Sequence, residues 1–168
     1  MNSASPKLTL AVVEDLFGKG WSRKKIAALY GVTPQFVSWV RYTYGGKRAP
    51  KDLVLDHFPW RVKKQFIQTS PYRLMRLHGE WVATDGEGMP EYKLKRLRSW
   101  YKMLREKNVV LEYNPEFPIV PKVSNKGGFK YQPRLPDDED LLIRDNEHTT
   151  LTEEGLTIWR LPLPGEEP

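Results

Sequence analysis

The chain has 168 residues, of which 39% are hydrophobic and 12% aromatic, enough to pack one medium domain or two small ones rather than a disordered protein. It contains no cysteine, which excludes disulfide frameworks and thiolate metal sites. The net charge of +6 is unevenly spread, since residues 1–108 carry +12 and residues 109–168 carry −6. The basic part indicates a polyanionic partner, although a solvated basic face without a partner has the same composition.

The first predicted helix covers Thr9 to Phe17, where apolar residues recur at helical spacing and Gly18 and Gly20 follow. Two acidic residues, Glu14 and Asp15, interrupt the apolar run, so the N-terminus does not have the pattern of a signal peptide. No segment reaches the apolar length of a membrane span. We therefore expect a cytoplasmic protein with no membrane partner.

The stretch from Trp21 to Tyr42 predicts a helix-turn-helix. Ser22 is a suitable N-cap for the first of the two helices, and Gly31 follows that helix where a left-handed residue is needed. Thr33 and Pro34 then restart the chain as N-cap and first helical residue. One apolar stripe per helix completes a pattern that favours DNA binding, with a purely structural helical pair as the alternative.

In a helix-turn-helix, the N-terminal part of the second helix faces base edges, while the first helix crosses the DNA backbone. Gln35 is the best candidate for reading a base, because its amide can pair with adenine at two positions. Trp39 is equally suited to packing against its neighbouring helix. The expected DNA contacts of this region are Arg23, Lys24, Lys25, Thr33, Pro34, Gln35, Ser38, Trp39, Arg41 and Tyr42, followed by Lys47 and Arg48 in a linker.

Composition divides the chain into three parts. Residues 1–44 form the helix-turn-helix domain, residues 45–57 a linker rich in glycine, proline and charge, and residues 58–168 a second domain. In the second domain we predict helices from Phe58 to about Gln68, from Tyr72 to Ala83 and from Pro90 to Lys107. The strands predicted after them are 109–113, 129–134 and 141–144.

Three helices followed by short antiparallel strands is the element order of a winged helix. The predicted fold is therefore mainly α with a small antiparallel β element, an N-terminal helix-turn-helix domain and a C-terminal winged-helix-like α+β domain. The apolar stripe of the helix at 90–107 is interpreted as core, and its basic face is as compatible with simple solvation as with DNA. The density of charge beside a glycine-rich loop favours a second DNA contact, formed by Lys93, Lys95, Arg96, Arg98, Lys102, Ser124, Asn125 and Lys126.

Catalysis is not predicted. The three histidines, His57, His78 and His148, lack metal-ligand spacing and are expected at the surface or in a linker, and no phosphate-binding loop or nucleophile elbow occurs. The acidic run Asp137–Asp140 suggests a nuclease metal site only superficially, because consecutive side chains do not all point at one cation. We expect no catalytic residue, no metal and no cofactor.

Four segments of the second region, GMPEYKLKRLRSWYKMLREKNVVLEYNP, VSNKGGF, LLIRDNE and LTEEGLTIWRLP, resemble the mycobacteriophage immunity repressors. The resemblance covers most of the chain, with the helix-turn-helix in the expected place. It implies a transcriptional repressor that maintains lysogeny, confers superinfection immunity in the bacterial host, and binds many short asymmetric sites called stoperators.

Two different DNA-binding modules in one chain agree with a monomer on an asymmetric site, whereas dimeric helix-turn-helix proteins read half-sites one helical turn apart. The expected partner is double-stranded DNA at operator and stoperator sites, where bound protein blocks RNA polymerase. The alternatives are a small terminase subunit that forms rings for DNA packaging, a non-catalytic adaptor whose basic face meets an acidic protein, and a metal-dependent nuclease.

Overall fold

The computed structural model of this protein describes residues 8–32, 34, 37–38, 40–41, 45 and 54–168. This part of the chain is mainly helical and contains a small antiparallel sheet of two strands. Its helices are α1 (Leu10–Gly18), α2 (Arg23–Tyr30), α3 (Ser70–Thr84), α4 (Glu91–Glu106) and α5 (Glu153–Ile158), and its strands are β1 (Val109–Tyr113) and β2 (Phe129–Pro133). No helix in these described ranges has the length and apolar character that crossing a membrane requires.

The first two helices begin and end where capping residues occur in the sequence. The Thr9 hydroxyl accepts a hydrogen bond from the Val12 amide and caps α1. The Ser22 hydroxyl accepts from the Lys25 amide at 3.1 Å and caps α2, as predicted. Gly31 ends α2 with φ of 65°, a conformation that costs glycine little. After this turn, the described residues between 34 and 41 are again helical.

The N-terminal helices enclose a small core of their own. Val13 from α1, Ile26 and Ala27 from α2, and Val37 and Val40 from the helical residues that follow are all buried in one cluster. Ala27 is small enough to let the backbones approach closely, and the apolar stripes predicted from the sequence meet here.

The predicted helix from Phe58 to Gln68 is wrong. Trp60 forms an isolated bridge with Thr149, and only Lys64–Phe66 forms a short 3-10 turn. The aromatic side chains of this segment bury themselves in the core, where Trp60 and Phe66 pack around Tyr113. Tertiary packing has therefore overridden the local preference for a helix, which Pro59 alone did not secure.

The two longer helices of the second region are confirmed within a few residues. Pro71 lies in the first turn of α3, and Pro90 precedes α4 as its N-cap. Asp85 follows α3 in the left-handed conformation, with φ of 55°, and ends the helix as predicted.

Strands β1 and β2 pair antiparallel, with Val109 opposite Pro133 and Tyr113 opposite Phe129. The predicted strand at 141–144 is reduced to isolated bridges, one parallel to Leu111 and one antiparallel to Arg160. Its three consecutive apolar residues are buried nevertheless, so the apolar run of the sequence marked a core segment rather than a full strand.

A second and larger core joins α3, α4, the sheet and the C-terminal segment. Trp159, at the end of α5, is fully buried, and its indole nitrogen donates to the His57 carbonyl at 2.8 Å. Sequence reasoning missed α5, which is only six residues long. Val54, which we assigned to the linker, is buried in this same core. A Cβ added to Gly79 of α3 would lie 2.5 Å from the Val54 side chain.

Candidate nucleic-acid interface

The first basic surface lies on α2. Lys24 and Lys25 are exposed in its first turn, and the Lys25 ammonium sits 4.3 Å from the centre of the Trp21 ring. Lys24 forms no ion pair with any carboxylate in the described residues. Both lysines are therefore accessible, and their predicted contact with phosphate stays a prediction.

Arg23 occupies a different environment, although it adjoins these lysines in sequence. Its guanidinium donates to the Ser38 hydroxyl at 2.9 Å and to the Ala83 carbonyl at 2.7 Å, and it lies 3.5 Å from the Asp85 carboxylate. Its side chain is only 15% exposed. Arg23 is thus engaged within the protein, and so is Ser38, which we expected at a base edge.

Arg41 also has partners inside the protein. Its guanidinium pairs with Glu14 at 3.1 Å and lies over the Phe17 ring. Pro34 is half-buried at a helical position. The other expected contacts of this region fall outside the described residues, namely Thr33, Gln35, Trp39, Tyr42, Lys47 and Arg48.

The second basic surface is a cleft of about 390 Å³ between α3 and α4, which we call the α3–α4 cleft. Four cationic side chains line it: Arg73 and Arg76 from α3, and Lys93 and Arg96 from α4. Glu80 is the acidic residue of this lining, and its carboxylate lies 3.8 Å from the Lys93 ammonium. The lining therefore carries a net charge of +3, which favours a polyanion.

The arginines of the α3–α4 cleft differ in their hydrogen-bond and ion-pair partners. Arg76 donates to the Tyr72 hydroxyl at 3.2 Å, and Arg73 donates to the Gln68 amide oxygen. Arg96 is exposed and forms no ion pair within the described part of the chain. The partners of the two α3 arginines are neutral, so they orient the side chains without neutralising the positive charge of the cleft.

The opposite side of α4 is partly occupied by the chain itself. Arg98 pairs with Glu91 and donates to the Pro168 main-chain oxygen at 3.0 Å, while Arg105 binds Glu167 and the Pro162 carbonyl. Lys102 lies 3.8 Å from Glu106 on the same helix. Lys95 is exposed and forms no such pair among the described residues. The predicted basic face is therefore split, with Arg98 engaged by the acidic C-terminal segment.

The predicted loop contacts also separate by exposure. Ser124 is only 2% exposed, and its hydroxyl donates to the Gly127 carbonyl at 2.6 Å. It also accepts from the Lys126 amide at 3.3 Å. Asn125 and Lys126 are exposed beside it. Ser124 thus shapes the loop, and its two neighbours form the loop's accessible surface.

The acidic run is built into the fold as an ion-pair network. The Asp138 carboxylate accepts from the Leu135 amide at 2.7 Å and from two nitrogens of Arg144. Glu139 and Asp140 pair with Arg160. Burial opposes ionisation of Asp138, but the hydrogen bonds from Arg144 and the Leu135 amide outweigh it, so its pKa lies below the ordinary value. The run therefore connects Leu135, just after β2, with Arg144 and with Arg160 in the C-terminal segment.

Two arginines of the α3–α4 cleft were missed in the sequence analysis, Arg73 and Arg76. They stand three residues apart in PYRLMRLHGEW, on the side of a helix opposite much of its apolar stripe. That spacing places Arg73 and Arg76 on one face of the helix, although the predicted second DNA contact included no residue of α3. What sequence does not give is the crossing of α3 and α4 that brings them near Arg96.

No protein-family model matches the chain. It is similar to the repressor-like immunity protein of mycobacteriophage L5, with 44% identity over 161 residues. The aligned part covers 95% of this chain and 87% of that relative.

Proposed function

We propose that this chain, which belongs to the mycobacteriophage immunity repressors, represses transcription as a sequence-specific binder of double-stranded DNA. In this proposal it occupies short asymmetric operator and stoperator sites as a monomer. Bound protein then blocks RNA polymerase at initiation or during elongation, and maintains lysogeny and superinfection immunity.

The observation that carries the proposal is the α3–α4 cleft. Four cations and one carboxylate line it, in a region of the chain whose balance is strongly basic. Such a cleft suits the phosphates of a DNA backbone, and the Arg96 side chain in its lining is exposed. Lys24 and Lys25 on α2 supply a second group of exposed cations. Two separate basic surfaces suit a site longer than one helix-turn-helix reads.

Phosphate contacts position a protein on DNA, and base contacts select the sequence. In the proposal, Lys24, Lys25, Arg73 and Arg96 supply affinity. Gln35 supplies selectivity, supported by its place two residues after Thr33 at the predicted start of the recognition helix. Changing Gln35 to Ala should relax base preference at one position, at a cost of about 1–3 kcal/mol on the preferred sequence.

The proposal is tested by selecting bound duplexes from a random pool with the full chain and reading the recovered motif. We expect one asymmetric sequence, longer than a single helix-turn-helix covers. For Gln35→Ala, an equal loss of affinity on selected and random duplexes would remove its proposed role.

The other outcomes discriminate between the remaining functions. A palindromic motif would indicate a symmetric dimer and would contradict the monomer. A ring assembly in solution would favour a terminase subunit. Absence of enrichment at low salt would favour an adaptor for an acidic protein.

A further inference from the structure

The Arg23 contact connects the N-terminal helices to the second region of the protein. Arg23 lies in the first turn of α2, and it reaches the C-terminal end of α3, about 60 positions along the chain. The Asp85 side chain that faces it is as little exposed as Arg23 itself, at 15%. Two charged side chains from distant parts of the sequence are thus largely withdrawn from water at one point.

In this contact, a side chain from α2 caps the C-terminus of α3. The last carbonyls of a helix lack intrahelical donors and carry a partial negative charge. Arg23 donates to one of them, at Ala83, and pairs with the carboxylate of Asp85 at the helix cap. Its planar guanidinium can serve several acceptors at fixed angles, which a lysine ammonium does not do.

The same guanidinium also donates to Ser38, in the helical residues after the Gly31 turn. One side chain therefore joins α2, the segment that we propose reads bases, and the end of α3. The α3–α4 cleft begins on that same helix α3. Movement of the N-terminal helices relative to the cleft requires this contact to break.

We propose that Arg23 and Asp85 form a latch that fixes the distance and angle between the two basic surfaces. Arg23 is then a positioning residue, rather than the phosphate contact that its sequence position suggested. The consequence for DNA rests on the proposed function: one fixed distance between surfaces permits one spacing between the two halves of a recognised site.

The latch is tested first in the protein without DNA. The chain has no cysteine, so Leu29→Cys and Ser99→Cys, both exposed, take one spin label on α2 and one on α4. We expect one narrow distance distribution in the otherwise unchanged protein and a broad one after Arg23→Met. Asp85→Asn should broaden it less, because asparagine tolerates the left-handed conformation and still accepts a hydrogen bond. An unchanged distribution in Arg23→Met would overturn the latch whether or not the protein binds DNA.

Two controls separate a released latch from a damaged fold. Lys24→Met makes the same kind of change at the neighbouring exposed position and should leave the distribution narrow. A label pair at Ser99→Cys and Glu147→Cys, both within the second region, should give the same distance with and without Arg23→Met. Broadening of this second pair would indicate general loss of structure and count against the latch.

The spacing of the DNA site is the functional measurement. About five base pairs, half a helical turn, are inserted between the halves of the selected motif. This insertion should lower the affinity of the unchanged protein for the duplex at least about tenfold. In Arg23→Met the same insertion should cost only about two- to threefold, since a freed module reaches both spacings. Lys24→Met should lower affinity on both duplexes and keep the tenfold ratio. An equally steep loss in Arg23→Met would contradict the role of the latch in spacing.

Discussion

At the scale of single residues, His78 shows how burial decides what a titratable group does. It is fully buried between α3, α4 and α5, with Nε2 2.6 Å from the Ile158 carbonyl and Nδ1 2.7 Å from the Tyr101 hydroxyl. A carbonyl only accepts, so Nε2 carries the proton and the Tyr101 hydroxyl donates to Nδ1. A neutral ring satisfies both neighbours, which makes this histidine a core residue rather than the surface residue we expected.

The pH dependence of stability follows from His78. Burial lowers its pKa from 6.5 to about 4, although the hydrogen bond to Ile158 acts in the other direction. Between these two values the unfolded chain binds a proton that the folded protein does not, so stability falls as pH falls. We expect the free energy of unfolding to drop by about 2 kcal/mol from pH 7 to pH 5 through this group. Urea titrations at several pH values measure it.

A His78→Gln variant should be less stable at pH 7 and should lack most of this slope, because glutamine does not titrate. His148→Gln serves as the control for the exchange itself. If His78→Gln retained the slope of the unchanged protein, other groups would be responsible for it.

Ser124 gives a second residue-scale prediction, because its burial distinguishes it from the loop's exposed residues. Ser124→Ala removes a hydrogen bond to the Gly127 carbonyl and leaves that acceptor without its partner. We expect a loss of about 1–3 kcal/mol in the free energy of unfolding. Asn125→Ala, at an exposed neighbour, should change stability by less than about 0.5 kcal/mol. Equal effects in chemical denaturation would contradict this assignment.

At the scale of elements, the acidic run predicts a sharp difference between two adjacent aspartates. Asp138 is buried, binds Arg144 through both oxygens and accepts from the Leu135 amide. Asp137, its neighbour in the 3-10 turn Pro136–Asp138, is exposed. Asp138→Asn removes the carboxylate that accepts charge-assisted hydrogen bonds from Arg144, and we expect a loss of about 1.5–3 kcal/mol in the free energy of unfolding, measured by thermal or chemical unfolding. Asp137→Asn should be close to neutral. Similar losses in the two variants would show that the network does not depend on Asp138.

Sequence predicted elements well where capping and periodicity agree. Ser22 and Gly31 bound α2, and residues 109–113 form β1 as the loss of helical spacing after α4 indicated. It failed at residues 58–68, where Trp60 and Phe66 are recruited into a core whose other members are distant in sequence. It also missed α5, because six residues contain less than two helical turns of pattern.

The candidate site divides in the same way. Residue type and helical position identified the exposed Lys24, Lys25 and Arg96. The partners of Arg23 and Arg98 that lie farthest along the chain are about 60 and 70 positions away, so local sequence did not reveal that the fold engages these arginines. Charge alone therefore overcounts the cations that are free to bind an external anion.

At the scale of the whole molecule, the distribution of accessible charge sets how binding depends on salt. Each bound phosphate releases counterions, so the slope of log K against log salt falls by about one for every phosphate that a variant no longer binds. Arg73 and Arg96 stand on opposite walls of the α3–α4 cleft, and both are exposed. We expect Arg96→Ala and Arg73→Ala each to weaken binding to selected and random duplexes alike and to reduce the slope by about one.

Fluorescence anisotropy titrations between about 50 and 200 mM salt resolve this change, since a few phosphate contacts alter affinity by orders of magnitude over that range. Lys107→Ala is the matched control, because Lys107 is an exposed cation at the C-terminal end of α4, away from the cleft lining. It should leave the slope unchanged. Slopes equal to that of the unchanged protein in all three variants would show that DNA phosphates do not bind Arg73 or Arg96 in the cleft. Selective weakening in the two cleft variants would show that the cleft itself binds phosphates, as expected of a protein that reads an asymmetric site with two different modules.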